Sequence, residues 1–289
     1  MPASSDLLEP RPMTLLSELS PAESLPRGLV SWRSGGGVAL LTLTNAPANA
    51  YSHDMMRDLD EAVLRARFDD EVQVVVLSGS GEKFFCAGAD IAMLDDVTPG
   101  FKYAFCLHAN ETMLRLEHTP KLVIGALGAH CVGGGLEVAL ACDLRVARRG
   151  SGRCGLPEVS LGVLPGTGGT QRLARVVGKS KAIELMAEGA LFDYDEAERL
   201  GVVNRVLDAG SEDEFLGQVL GWAASFTTPG RAALSVGLIK RSVQTGAELP
   251  LEAGLALERE LQARLFASAD AREGISAYVE KRKPSFEGR

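Results

Sequence analysis

The sequence has few of the devices that announce a function, and each absence narrows the field. No run of eighteen consecutive apolar residues occurs among its 289 residues, so no helix is expected to span a membrane. Cysteine is scarce: the five residues Cys86, Cys106, Cys131, Cys142 and Cys154 form no CxxC pair and sit mostly in apolar runs. They are expected as reduced core residues of a cytoplasmic protein rather than as staples or ligands. The four histidines, at 53, 108, 118 and 130, make no HExxH motif and no tight cluster, so no metal site is expected. A GxSxG elbow is missing. The glycine run from Gly166 has Gln171 where the sixth position of GxGxxG needs glycine, and Gly178-Lys179-Ser180 has Leu173 where a P-loop needs its first glycine. Dinucleotide and nucleoside triphosphate binding fall with those matches. Positive charge is also short: 30 Lys and Arg stand against 38 Asp and Glu, a net charge of −8. That balance lacks the basic footprint of a nucleic-acid binder.

What remains is an ordinary globular composition, 46% hydrophobic and 24% charged. Residues 1–27 carry five of the thirteen prolines and four acids against two arginines, unlike a secretory or mitochondrial signal. They read as a flexible, dispensable leader. Residues 28–200 read as an α/β core holding the active site, and 201–289 as a helical C-terminal region. Val38–Thr44, Val72–Ser78, Lys121–Leu127 and, more weakly, Leu144–Ala147 have the near-continuous β-branched character of strands covered on both faces. A helix is expected from Ser52, with Ser52 as its N-cap. Further helices are expected over Lys179–Glu188, Tyr194–Leu200, Glu212–Ser225, Arg231–Val243, Leu251–Phe266 and Ala269–Arg282. Gly201 stands where a C-terminal cap glycine belongs.

Two glycine-linked segments follow predicted strands. Phe84-Phe85-Cys86-Ala87-Gly88-Ala89-Asp90-Ile91 comes after the buried strand ending at Ser78, and Gly133-Gly134-Gly135-Leu136-Glu137 comes after the strand ending at Leu127. Small residues let backbone approach a ligand, and N–H groups at a helix start favour developing negative charge. Either segment alone reads equally well as a tight turn. Glu137 alone would read as an acid favoured by a helix N-terminus, and Glu158 as a loop surface charge.

The third segment changes the weighing. Leu156-Pro157-Glu158 precedes the run Leu161-Gly162-Val163-Leu164-Pro165-Gly166-Thr167-Gly168-Gly169-Thr170-Gln171-Arg172-Leu173. AGAD, GGGxE, PE and LGxxPGxGGTQRL, in that order and at those separations, resemble the enoyl-CoA hydratase/isomerase family, the crotonases, from about Leu29 to the C-terminus. The resemblance implies a right-handed spiral of ββα units with a C-terminal helical trimerisation region, assembled as homotrimers or hexamers. It implies oxyanion-hole amides at Ala89 and Gly134 and catalytic carboxylates at Glu137 and Glu158. The substrate would be a 2-enoyl-CoA thioester, hydrated without a separate cofactor. An enoyl-CoA isomerase, a crotonase acting on a branched or cyclic acyl group, and a silent acyl-CoA-binding protein are the alternatives. By the same resemblance, Asn49, Ala50, Tyr51, Ala87, Gly88, Asp90 and Ile91 fall where the family contacts the CoA thioester, and Tyr278 and Lys281 where it reaches CoA across a subunit boundary. Ala92 departs from the pattern, since many members carry lysine there. One branch of the family binds RNA through a lysine-rich helix; Ser52 to Asp70 here has six acids, three arginines and no lysine, so no nucleic acid is expected. The stretch Asp95 to His118 should flank the acyl pocket.

Overall fold

A computed structural model describes residues 15–289. The chain threads two sheets alternately. β2 (Val30–Gly35) and β3 (Val38–Leu43) form an antiparallel hairpin, and β4 (Val74–Gly79), β6 (Leu122–Leu127) and β8 (Leu144–Arg148) extend it in parallel. β5 (Phe84–Cys86), β7 (His130–Val132) and β9 (Arg153–Gly155) lie side by side, also parallel, in a second sheet edged by β10 (Leu191–Asp193). From β4 onward, each unit places its first strand in the large sheet, its second in the small one, and then runs into a helix. This is the spiral of ββα units that the resemblance implied.

Local chemistry explains the elements. The runs VVVLSG in β4 and LVIGAL in β6 are buried along almost their whole length, as central parallel strands require. α2 (His53–Phe68) starts where Ser52 accepts from the Met55 amide at 3.3 Å, and it buries Met55, Leu59, Ala62 and Val63 against the sheet. α9 (Glu212–Ala224) covers the opposite face with Phe215, Val219 and Leu220. Gly201 sits just past α8 (Tyr194–Arg199) at φ 75°, its amide bonded to the Glu198 carbonyl. Cys86, Cys131 and Cys154 stand in register across the small sheet, buried and unpaired. Burial pushes their thiols up, Cys86 and Cys154 to about 12, so they remain thiols at neutral pH.

Two boundaries differ from those expected. Residues 1–14 lie outside the described residues, but the leader read over 1–27 is folded from α1 (Leu15–Glu18) onward. Leu19 and Leu25 are buried, and β1 (Glu23–Ser24) pairs with β2. The Arg33 guanidinium donates to the Leu16 and Ser20 carbonyls at 2.8 Å. The buried Asp58 carboxylate accepts from Arg27 and from the Leu29 amide. A cut at residue 27 would remove Leu19 and Leu25 from the core and take from the buried Asp58 carboxylate its Arg27 counter-ion, leaving the Leu29 amide, so residues 15–27 are packed as part of the fold rather than as a flexible leader. The second boundary, at 200, also moves, because β11 (Arg205–Leu207) returns to pair with β8 in the large sheet. Beyond it, α10 (Ala233–Gly246), α11 (Leu251–Phe266) and α12 (Ala269–Glu280) form the helical region. α10 is pinned to the core by Lys240, which pairs with Asp143 at 2.8 Å and donates to the Lys121 carbonyl.

Candidate active site

Parallel alignment of β5, β7 and β9 decides where the site lies. Cys86 pairs with Cys131, Cys131 with Cys154, and Val132 with Gly155. The three chemically suggestive segments therefore leave neighbouring strands at the same edge: Ala87–Asp90 after β5, the Gly133 turn into α5 (Gly134–Leu140) after β7, and Leu156-Pro157-Glu158 after β9. Carboxyl ends of parallel strands are where open α/β sheets bind ligands. Here they open into a cavity of about 630 Å³ lined by Tyr51, Ala87, Gly88, Ala89, Ile91, Gly134, Glu137 and Glu158.

Ala89 and Gly134 both line this cavity. Gly134 is the first residue of α5, so its N–H has no intrahelical acceptor. Gly133 makes the turn at φ 58°, a conformation that favours glycine. Ala89 forms an isolated parallel bridge with Tyr51. The Tyr51 N–H donates to the Gly88 carbonyl and its C=O accepts from the Asp90 amide, so the Ala89 N–H is directed away from Tyr51. A Cβ on Gly88 would come within 2.9 Å of the Gly134 nitrogen, which shows how closely the two segments abut.

Two carboxylates enter the same space in unlike environments. Glu137, 2% exposed in the first turn of α5, accepts at Oε1 from the amides of Thr167 (2.8 Å) and Gly169 (2.7 Å), and at Oε2 from the Thr167 hydroxyl. The loop carrying those donors is held from behind by Arg172 of α6 (Gly169–Val177), which donates to the Thr167 carbonyl and pairs with Glu117 of α4 (Pro99–His118). Glu158 begins a short 3-10 helix, Glu158–Leu161, and its Oε2 is buried with no hydrogen-bond partner among the described residues. Burial pushes this carboxyl up to about 7, against its own backbone hydrogen bond and Lys102 on α4, with the Glu137 charge adding to the push. One carboxylate is surrounded by donors. The other is poorly solvated and able to hold a proton at neutral pH.

The expected contacts separate into two groups. Tyr51, Ala87, Gly88 and Ile91 line the cavity. Asn49 and Ala50 instead build the loop beneath it. The Asn49 amide donates to the Ser80 and Phe84 carbonyls, and the Ala50 carbonyl accepts from Asn45. Asp90 caps α3 (Ile91–Asp95) by accepting from the Ala92 and Met93 amides, so the Ala92 position serves a helix start. Tyr278 (86% exposed) and Lys281 lie on and just after α12, outside the lining of this chain's cavity. Of the stretch Asp95 to His118, Val97, Thr98, Pro99 and Lys102 line this cavity, joined by Ile91, Leu94 and Leu161. Phe105 lies beneath Tyr51, with ring centroids 5.7 Å apart. Thr167 was not singled out in the sequence, because its role depends on a loop folding back onto α5. His53 and His108 meet edge to face away from the site, and His130 accepts from the Arg153 amide. Among the described residues, no group of three or more His, Cys, Asp or Glu is placed to hold a metal ion.

Such an arrangement, with two backbone amides and a carboxylate pair at one edge of a ββα spiral, defines a site that can polarise a carbonyl and move protons beside it. The chain belongs to the enoyl-CoA hydratase/isomerase family, whose model matches residues 33–289. It is similar to the short-chain-enoyl-CoA hydratase of Clostridium acetobutylicum, 35% identical over 249 residues that cover 86% of this chain and 93% of that one. It is also similar to the crotonyl-CoA hydratase of Syntrophomonas wolfei, 34% identical over 82% of this chain and 89% of that one. A crystal structure of the enoyl-CoA hydratase from Geobacillus kaustophilus HTA426 superposes with a TM-score of 0.88 at 40% identity, covering 93% of this chain and all of that one.

Proposed function

We propose that the protein is an enoyl-CoA hydratase that adds water reversibly across the 2,3 double bond of 2-enoyl-CoA thioesters. The observation that carries this reading is the convergence of Glu137 and Glu158 on one cavity beside the Ala89 and Gly134 amides. The thioester oxygen sits between the two N–H groups. Water adds its oxygen to C3 while Glu137 takes one of its protons. The C2=C3 pair moves through the conjugated system onto the thioester oxygen, where the amides stabilise the enolate. Glu158 then delivers its proton to C2. The sum is one water added, with one proton residing on the carboxylate pair throughout. This chemistry draws on no cofactor beyond the CoA of the substrate. Ile91, Leu94, Val97 and Leu161 form an apolar wall for the acyl chain.

Hydration neither releases nor takes up a proton, so the same singly protonated pair must serve both directions. Ionisation of Glu158, which holds its proton up to about pH 7, depletes that form in the free enzyme. The kcat/KM for hydration and for dehydration should therefore fall together as pH rises above about 7. A pH series in both directions checks this. Profiles flat from about pH 6 to about pH 9 would show that the reaction does not need the Glu158 proton.

Assembly completes the reading. Ile239, Val243, Leu251, Leu255, Ile275 and Val279 on α10–α12 expose apolar side chains, the surface through which a homotrimer or hexamer would form. Tyr278 and Lys281 would then reach CoA bound by a neighbouring subunit. Sedimentation velocity at micromolar concentration should give a species of three or six chains, and a stable monomer would contradict this. No helix among the described residues is long and apolar enough to cross a membrane. We place the activity in the cytoplasm, where the unpaired thiols would persist.

A further inference from the structure

The aromatic residue at the mouth of the first glycine segment has a side chain that the proposed mechanism has not used. Tyr51 and Thr167, 116 residues apart in sequence, are both buried, and their hydroxyls meet at 2.9 Å. The direction of that bond follows from its neighbours. The single proton of the Thr167 hydroxyl is donated to Glu137 Oε2, which as a carboxylate oxygen can only accept. Thr167 must therefore accept at its other contact, and Tyr51 must donate. Burial, reinforced by the Glu137 charge, raises the Tyr51 phenol well above its ordinary value, so the proton needed for this chain stays in place.

A carboxylate offers about four acceptor sites, two on each oxygen. The Thr167 and Gly169 amides fill both sites on Glu137 Oε1, and the Thr167 hydroxyl fills one on Oε2. One site remains, and Glu137 lines the cavity. Tyr51 is itself fixed at three points. Its backbone clamps the Gly88 carbonyl and the Asp90 amide, its ring stacks on Phe105, and its phenol end lies so close to Gly134 that a Cβ there would overlap it. One residue thus touches both amide-bearing segments and, through Thr167, the carboxylate.

We propose that Tyr51 and Thr167 act as a positioning pair that holds Glu137 with a single acceptor site open toward the substrate, in register with the two oxyanion amides. Neither residue touches the reacting atoms in this account; both act through Glu137. The inference rests on the hydratase reading, and its test separates the two.

The test uses the full-length protein and crotonyl-CoA, comparing Thr167→Val, Thr167→Ser, Tyr51→Phe and wild type. Hydration by the wild type is the control for the reading itself. If wild type is inactive on crotonyl-CoA and on longer 2-enoyl-CoA thioesters, the hydratase reading and with it this inference fail. With an active wild type, Thr167→Val should lower kcat by about 10- to 100-fold with KM changed less than about threefold. Thr167→Ser, which keeps the hydroxyl, should stay within about threefold of wild type. Tyr51→Phe, which keeps the ring stack, should lose about threefold to tenfold in kcat. In a Glu137→Gln background, Thr167→Val should cost almost nothing further, since the pair acts only through that carboxylate. An active wild type with kcat preserved in Thr167→Val, or with the same loss in both backgrounds, would overturn the inference. If Thr167→Val does not fold, Tyr51→Phe with and without Glu137→Gln decides the matter in the same way.

Discussion

Glu137→Gln and Glu158→Gln should each reduce the rate of crotonyl-CoA hydration by roughly 10²- to 10⁴-fold, the usual range for loss of a general acid or base. Glutamine keeps the size and one accepting oxygen but carries no proton to exchange at neutral pH, so substrate affinity should largely survive. The two losses have different causes. At position 137, the amide group can still accept from the Thr167 and Gly169 amides but cannot take a proton from water. At position 158, the change removes a proton held up to about pH 7 by burial, and with it delivery to C2. The pair of variants also separates two reactions of the family. An isomerase shifts a proton within the substrate and needs no activated water, so Glu158→Gln would be crippling and Glu137→Gln mild. Measuring kcat for both variants on crotonyl-CoA and on a 3-enoyl-CoA, with folding checked by circular dichroism, distinguishes them. Near-normal hydration by Glu137→Gln would defeat the two-carboxylate mechanism.

Gly134→Ala should lower kcat by about 10²- to 10³-fold, the cost of losing or misplacing one oxyanion donor, about 3 kcal/mol in barrier height. The methyl group has no room. Its Cβ would overlap the Cε1, Cζ and hydroxyl atoms of Tyr51, so the first turn of α5 or the ring must move, and the amide of residue 134 moves with the turn. A second change makes the argument specific. Leucine at position 51 ends short of those three atoms, so Gly134→Ala combined with Tyr51→Leu should be more active than Gly134→Ala alone, even though Tyr51→Leu by itself lowers kcat. Steady-state kinetics on the three variants reads this. Retention of most kcat by Gly134→Ala would show that its amide is not an oxyanion donor, and a double variant worse than both singles would show that the steric account is wrong.

The parts of the molecule that could be read from sequence were those with long periodic signals. β4 and β6 are continuous β-branched runs, α2 has its cap and stripe, and α11 falls on its predicted limits, Leu251–Phe266. The small sheet was not legible. Its strands β5, β7, β9 and β10 are three residues each, too short to show a period, and only their pairing across the spiral makes them strands. β2 was missed for another reason: Ser31, Arg33 and Ser34 break its apolar run, and only Val30 and Trp32 are buried. The leader was misread because proline and serine content does not report that Leu19 and Leu25 find a core, or that Arg33 finds two carbonyls.

The site divides along the same line. Its ordered motifs pointed to Glu137, Glu158, Ala89 and Gly134, and the spiral brings these four to one cavity because their segments leave adjacent strands. The different surroundings of the two glutamates were not visible in the sequence. Thr167 lies 30 residues beyond Glu137, and a hydroxyl in a glycine loop carries no sign of the side chain it will meet. Nor does the sequence show that the Asn49 side-chain amide holds the Ser80 and Phe84 carbonyls.

The central claim is that water, activated at Glu137, becomes part of the product. Incubating the protein with crotonyl-CoA in heavy-oxygen water and weighing the thioester product by mass spectrometry tests it directly. The account predicts a 3-hydroxyacyl-CoA carrying one heavy oxygen in its new hydroxyl group, formed by wild type and suppressed in Glu137→Gln. Recovery of the substrate unchanged, or of an unlabelled isomer with its double bond moved, would contradict it.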